Sequence, residues 1–246
     1  MLSDRTRRRI SKNMEKSLPE DEKKMFSFLR KFVLGTVRLF INIFYPMEFE
    51  NLDNLPDEGA AIVAGNHGSN LDAPFLMFAI NERKRWGYFV AKESLMRYPL
   101  FGNLLLNFGV IPVNTTATEV EAYSVKAIFN VLKQNHVLAI FPQGTRCKTA
   151  EKEARVAPKT GAISFALRTN SPIVPIAIDS EYKLFKKSRI IFGEPYYVKS
   201  DKKRLSEAEM MAESIILMEK VYALMDKEYP LKKKDKLTEG ILSNDN

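Results

Sequence analysis

Residues 66–72 read Asn-His-Gly-Ser-Asn-Leu-Asp and follow directly on an apolar run at 60–64. The chain has only two histidines, and one of them, His67, stands five residues before an acid, Asp72. An imidazole that takes a proton needs a carboxylate to hold its tautomer and to stabilise the cation that forms. His67 is therefore a candidate general base and Asp72 its orienting partner. Ser69 is too near His67 in sequence for an easy triad geometry and reads as a turn or cap residue. Ser69 and Asp72 match a looser capping-box pattern, and Pro74 is tolerated only in a first helical turn, so a helix should start near residues 71–73. A carboxylate at that position also sits favourably in the helix dipole.

A second cluster, Phe-Pro-Gln-Gly-Thr-Arg at 141–146, ends another strand-like run. Pro142 and Gly144 suit a turn there. Ligands of open α/β sheets bind outside the carboxyl ends of the strands, and Arg146 at such an end can grip a phosphate with two parallel N–H bonds. Cys147 follows, but no base pairs with it in sequence, which leaves it without the partner a thiol nucleophile needs. With two histidines and one cysteine far apart, no metal site is expected. His136, the second histidine, reads as a structural or exposed loop residue.

These residues need a scaffold. Short apolar runs at 60–64, 86–91, 110–113, 137–141, 173–178 and 189–192 have the length and composition of strands. Helical patterns near 74–81, 99–107, 120–134 and 160–168 separate them. Such alternation predicts an α/β domain with a mixed, largely parallel central sheet flanked by helices. Residues 204–229 read as a further amphipathic helix, with Met210, Ile215, Leu217, Met218, Val221 and Leu224 apolar. The expected organisation is a basic leader and amphipathic helix over 1–46, one domain over 47–230, and a charged tail over 231–246.

The leader is distinctive. Residues 1–31 hold ten Lys or Arg against five Asp or Glu, a net +5. From Met25 to Tyr45 the apolar residues Phe26, Leu29, Val33, Val37, Phe40 and Phe44 follow helical steps, while Ser27, Lys31, Gly35, Arg38 and Asn42 form the opposite stripe. A spanning helix would carry Arg38 mid-bilayer at roughly 2.5–3.5 kcal/mol. An in-plane membrane anchor, apolar face down and basic residues at the headgroups, fits better. Each basic residue near an anionic leaflet would add roughly 1 kcal/mol. No secretory signal is evident.

Composition narrows the partners. The 246-residue chain is 45% hydrophobic with a net charge of +8 and a pI near 9.4. Disorder of the whole chain is excluded, and an anionic partner is indicated. The basic residues are dispersed and match no nucleic-acid motif, so no nucleic acid is expected. The lone cysteine, Cys147, excludes an intrachain disulfide and fits a reducing compartment. No Gly-x-Ser-x-Gly elbow of a serine hydrolase is present.

Four segments together carry a family resemblance: NHGSNLD (66–72), GVIPVN (109–114), FPQGTR (141–146) and IVPIAI (173–178), with AKESL (91–95), Pro99, Gly102 and KTGA (159–162) between them. Over roughly residues 47–200 the chain resembles the glycerolipid acyltransferases, most closely the bacterial PlsC-like 1-acyl-sn-glycerol-3-phosphate acyltransferases. The resemblance implies transfer of a fatty acyl group from acyl-CoA or acyl-carrier protein, as donor substrate rather than cofactor, to the hydroxyl of a lysophospholipid acceptor. The product would be phosphatidic acid. In that reading His67 and Asp72 are catalytic through the HX4D motif, and the substrate's own hydroxyl is the nucleophile, so no acyl-enzyme forms. Asn66, Lys92, Asn114, Pro142, Gln143, Gly144, Thr145, Arg146 and Lys159 would bind substrate. No cofactor is implied. Backbone amides near the Gly-rich turns would stabilise the oxyanion. IVPIAI reads as a buried core strand that the family places beside the acyl tunnel.

Two departures from the family stand out. Gln143 replaces the usual glutamate, and Asn114 is followed by Thr115 and Thr116 where many members carry a phosphate-binding arginine. Phosphate binding would then rest on Arg146 with Lys92, Lys126, Lys148 or Lys159. The alternatives are another lysophospholipid or glycerol-3-phosphate as acceptor, or a non-catalytic lipid-binding protein on the same scaffold. The expected location is the cytoplasmic face of a membrane, monotopic rather than spanning.

Overall fold

The computed structural model describes residues 45–114, 122–199 and 205–231, and scattered positions between 32 and 44. The basic leader and the tail beyond Leu231 lie outside the described residues. So do Thr115 and Thr116.

Seven strands form one sheet: β1 (Met47–Glu50), β2 (Ala61–Gly65), β3 (Gly87–Lys92), β4 (Val110–Val113), β5 (Val137–Ile140), β6 (Ile173–Asp179) and β7 (Ser188–Phe192). Their order is β1-β7-β6-β2-β5-β3-β4. Every neighbouring pair is parallel except β6 and β7. The helices are α1 (Asp72–Glu82), α2 (Pro99–Asn107), α3 (Ala122–Lys133), the single turn α4 (Ala150–Glu153), α5 (Gly161–Thr169) and α6 (Glu207–Ala223). The mixed, largely parallel α/β sheet is as expected. β1 is an addition: its Met-Glu-Phe-Glu alternation is only four residues long and half-buried at the sheet edge, too short to register as a strand.

Period-two alternation divides the core into two layers. In β2, Ala61 and Val63 face α1, together with Val137 and Ala139 of β5. Ile62 and Ala64 face the layer built from α3, α5 and α6, together with Leu138. Parallel strands covered on both faces read as continuous apolar runs, which is why these strands were visible in sequence.

Sheet geometry is tightest where β2 ends. A Cβ on Gly65 would lie 2.4 Å from the Ile176 carbonyl oxygen, so β2 and β6 can approach only with glycine there. The residue after it, Asn66, spans to β6 with two bonds. Its Nδ2 donates to Ile178 O at 3.0 Å, and its Oδ1 accepts from Ile178 N at 2.8 Å.

The described residues between 32 and 44 are helical. Ile41 is buried in the α1 layer, while Phe32, Leu39 and Ile43 are exposed. Arg38, expected at lipid headgroups, is ion-paired with Glu82 at the end of α1. Among the described residues no helix is long and apolar enough to cross a membrane.

Four partly or fully buried tyrosines tie stability to alkaline pH. Burial, first of all, raises the phenols of Tyr182, Tyr196, Tyr222 and Tyr229, with help from Asp72, Glu213 and Glu153 and, for Tyr229, Cys147. The unfolded chain releases these protons near pH 10 and the folded chain holds them. Their contribution to stability is thus complete below about pH 10 and falls as pH rises, by up to about 1.4 kcal/mol per pH unit for each tyrosine. A pH titration should show phenolate absorbance and loss of circular dichroism moving together as one cooperative step. Stepwise phenolate formation in a folded protein would contradict it.

Candidate active site

The carboxyl ends of β2 and β5 carry the two loops with chemistry. The first loop folds back on Asp72. His67 Nδ1 lies 2.7 Å from Asp72 Oδ2. Gly68 N and Ser69 N each donate to the same oxygen at 2.8 Å. The Tyr182 hydroxyl donates to the other oxygen, Oδ1. Four donors thus replace the water that a carboxylate only 1% exposed has lost.

This geometry sets the histidine's roles. With Nδ1–H given to Asp72, the Nε2 lone pair is left to accept a proton. The imidazole stacks on Phe141 with ring centroids 4.2 Å apart and planes 11° from parallel. Its side chain remains 19% exposed. The ring is held from one nitrogen and one face, and still reaches solvent.

Half of the capping-box pattern forms. Ser69 N donates to Asp72, but Ser69 Oγ accepts from Leu71 N at 3.2 Å and not from Asp72. Asp72 is itself the first residue of α1, with no side-chain cap before it. Its carboxylate is directed backward into the loop, at the helix N-terminus, where negative charge is favoured.

The second loop docks on the first. Cys147 N donates to His67 O at 2.7 Å, and the Arg146 guanidinium bonds Asn70 Oδ1. Gly144, at φ 63°, closes the turn with its amide on Phe141 O at 2.9 Å. Lys159 N donates to Pro142 O at 2.8 Å, and a Cβ on Gly144 would lie 3.1 Å from Lys159 Cε. Pro142, Gly144, Thr145, Arg146 and Lys159 therefore gather beside His67. Lys152 adds a further cation, bonded to Arg146 O.

The remaining expected site residues sit differently. Asn66 is engaged by the main chain of β6, as described. Lys92, exposed, and Asn114, half-buried, stand at the carboxyl ends of β3 and β4 on the same sheet edge. Those strands are two and three places from β2. Gln143 is only 3% exposed, and its side chain lies against the Tyr229 hydroxyl and not in the solvent-facing part of the site. The amides of Gly68, Ser69, Gly144 and Cys147 are already given to protein acceptors, so the oxyanion role expected of the Gly-rich turns cannot fall to these four. Among the described residues no group of His, Cys, Asp and Glu could hold a metal ion.

Sequence reasoning missed Tyr182. It lies 110 residues from Asp72, in the connection after β6, and no spacing ties it to the HX4D motif. Its ring packs edge-on against Phe75 at 5.2 Å. Burial, then the Asp72 charge, push its phenol far above the usual range, so it stays a donor throughout the neutral range.

Comparison with known proteins bears on this arrangement. The model of a family described as Acyltransferase matches residues 46–179, more than half of the chain. A 1-acyl-sn-glycerol-3-phosphate acyltransferase of Bacillus subtilis is 28% identical over 187 residues, covering 74% of this chain and 89% of that one. A chloroplastic 1-acyl-sn-glycerol-3-phosphate acyltransferase of Brassica napus is 26% identical over 186 residues, covering 69% of this chain. The match spans only 52% of the Brassica protein's length. The crystal structure of the 1-acyl-sn-glycerophosphate acyltransferase PlsC from Thermotoga maritima shares the fold. Its TM-score is 0.59 at 22% identity, over 87% of this chain and 86% of that one.

Proposed function

The chain belongs to the acyltransferase family, and from that premise we propose that it transfers a fatty acyl group from a thioester to the hydroxyl of 1-acyl-sn-glycerol-3-phosphate, giving phosphatidic acid. One observation carries the reading: His67 is held by Asp72 at 2.7 Å with its second nitrogen directed away from that bond. The relatives' shared activity supports the choice of acceptor.

The chemistry follows from the geometry. The acceptor hydroxyl is a poor nucleophile at neutral pH. His67 Nε2 takes its proton as the oxygen attacks the thioester carbonyl, and the carbon–oxygen bond forms. The tetrahedral intermediate collapses, the carbon–sulfur bond breaks, and the leaving thiolate receives the proton from the imidazolium. Asp72 stabilises that cation while it lasts. A positioned base of this kind contributes typically about 10²–10⁴-fold. Arg146, with Lys159 and Lys152 near it, would meet the acceptor phosphate. The donor is acyl-CoA or acyl-carrier protein. Membrane association through the N-terminal helix, on the cytoplasmic face and without spanning, completes the proposal. It draws on the exposed Phe32, Leu39 and Ile43.

The test is thiol release from acyl-CoA, and separately from acyl-carrier protein, against lysophosphatidate, other lysophospholipids and glycerol-3-phosphate. Release with lysophosphatidate above all others supports the reading. Preference for another acceptor reassigns the substrate, and no release with any pair leaves a lipid-binding protein.

Arg146 has its own expected result. A charged hydrogen bond contributes roughly 1.5–3 kcal/mol, so Arg146→Ala should raise the acceptor's KM about 10–100-fold and leave the donor's KM nearly unchanged. Asn70→Ala is the control, since it breaks the Arg146–Asn70 link while keeping the charge. If both variants behave alike, Arg146 acts by tying the loops together and not by holding phosphate.

A further inference from the structure

We propose that the connection between β6 and β7, residues 180–187, docks into the surface of an anionic phospholipid bilayer, with Leu184 and Phe185 inserted between headgroups. These two consecutive side chains are 59% and 69% exposed. Scattered apolar side chains on a surface need no explanation, but a contiguous pair at a loop tip does. Lys183, Lys186 and Lys187 flank the pair with side chains 69%, 55% and 60% exposed. Within residues 181–187 three lysines face one glutamate. Lys183 and Lys186 share Glu181, and Lys187 pairs with Glu48. Such exposed pairs are weak and yield readily to lipid phosphates. An apolar tip ringed by lysines is complementary to an anionic interface and not to a neutral protein surface.

The backbone holds this tip outward at some cost. Tyr182 and Phe185 both adopt left-handed conformations, at φ 48° and 60°, which side chains with a Cβ resist. Hydrogen bonds maintain them: Tyr182 N donates to Ser180 Oγ at 3.0 Å and Phe185 N to Phe44 O at 2.7 Å. The second bond joins the tip to the N-terminal helical segment, whose Leu39 and Ile43 are also exposed. The loop leaves the carboxyl end of β6, beside β2. Tyr182 touches Asp72, and Leu184 is two residues further on, about 7 Å of chain. A bilayer surface at Leu184 would therefore lie at the same end of the sheet as the Asp72 loop, one tyrosine side chain and two residues away. Beyond β3, Tyr98 is exposed, as are Leu100 and Phe101 in the first turn of α2.

This surface matters to the reaction only if the protein acylates lipids, and so rests on that reading. The test reads loop depth and not turnover, so the two can fail separately. Trp86 is the only tryptophan. In full-length protein carrying Trp86→Phe and Leu184→Trp, the single reporter should shift to shorter wavelength on vesicles of phosphatidylcholine with phosphatidylglycerol. Lipids brominated on their acyl chains should quench it. Phosphatidylcholine vesicles alone should do little. In the natural background, Leu184→Ser with Phe185→Ser should weaken sedimentation with the anionic vesicles about tenfold or more at an unchanged melting temperature. Replacing the three lysines by glutamine should weaken it about tenfold. A reporter that stays in water, whether or not the protein sediments, overturns the proposal. So does a blue shift that grows with protein concentration without vesicles, which would assign the surface to a second copy of this chain.

Discussion

Replacing His67 by alanine is expected to lower kcat for acyl transfer by about 10²–10⁴-fold while the protein still folds. His67 is partly exposed and contributes one of four donors to Asp72. Its loss leaves that carboxylate three donors, which limits the stability cost to about 1–3 kcal/mol. Acceptor binding should persist, because the Arg146 cluster does not depend on the imidazole ring. The docking of the two loops uses the His67 main-chain oxygen, which alanine retains. Adding imidazole to the assay should restore part of the rate, since a small base can enter the space vacated. A variant that turns over at the parent rate would remove His67 from the chemistry altogether.

Asp72→Asn separates charge from shape, and its effect should be nearly as large. The three donors on Oδ2 demand an acceptor, and asparagine can offer its oxygen there. Its amide nitrogen then faces Tyr182, whose hydroxyl can accept as well as donate. The loop should keep its fold, but no negative charge remains to stabilise the imidazolium. In Ser-His-Asp enzymes the same exchange costs about 10⁴-fold in kcat, and about 10³–10⁴-fold is expected here. Asp72→Ala, by contrast, leaves the half-buried Gly68 and Ser69 amides without their acceptor and should also cost stability, at about 1–3 kcal/mol for each unmet donor. Thermal melts beside kcat for the two variants make the distinction. Equal melting points for Asn and Ala variants would mean that the carboxylate is not the organising acceptor of the loop.

The contrast between these residues and Tyr182 shows what could be read in advance. His67 and Asp72 are five residues apart, so a single loop determines their relation. The strands were legible because each is buried on both faces and reads as an apolar run. β1 was not, because an edge strand of four half-buried residues alternates Met, Glu, Phe and Glu and gives too few periods. Arg38 looked like a headgroup contact from its stripe, yet Glu82, far away in sequence, holds it. Gln143 was expected to bind substrate from its motif, yet the turn buries it.

By itself, then, the order of amino acids determined the local parts: the pairing of His67 with Asp72, the glycine and proline turns, the alternation of strand and helix, and the family. Those depend on neighbours within a few residues, where chain geometry leaves few choices. The long-range contacts were decided only when the sheet assembled. Tyr182 on Asp72, Arg146 on Asn70 and Asn66 on Ile178 join segments 76 to 112 residues apart. The physical reason is that side-chain hydrogen bonds have no sequence periodicity, so only the order of the strands, set by packing both faces of the sheet, brings such partners within reach.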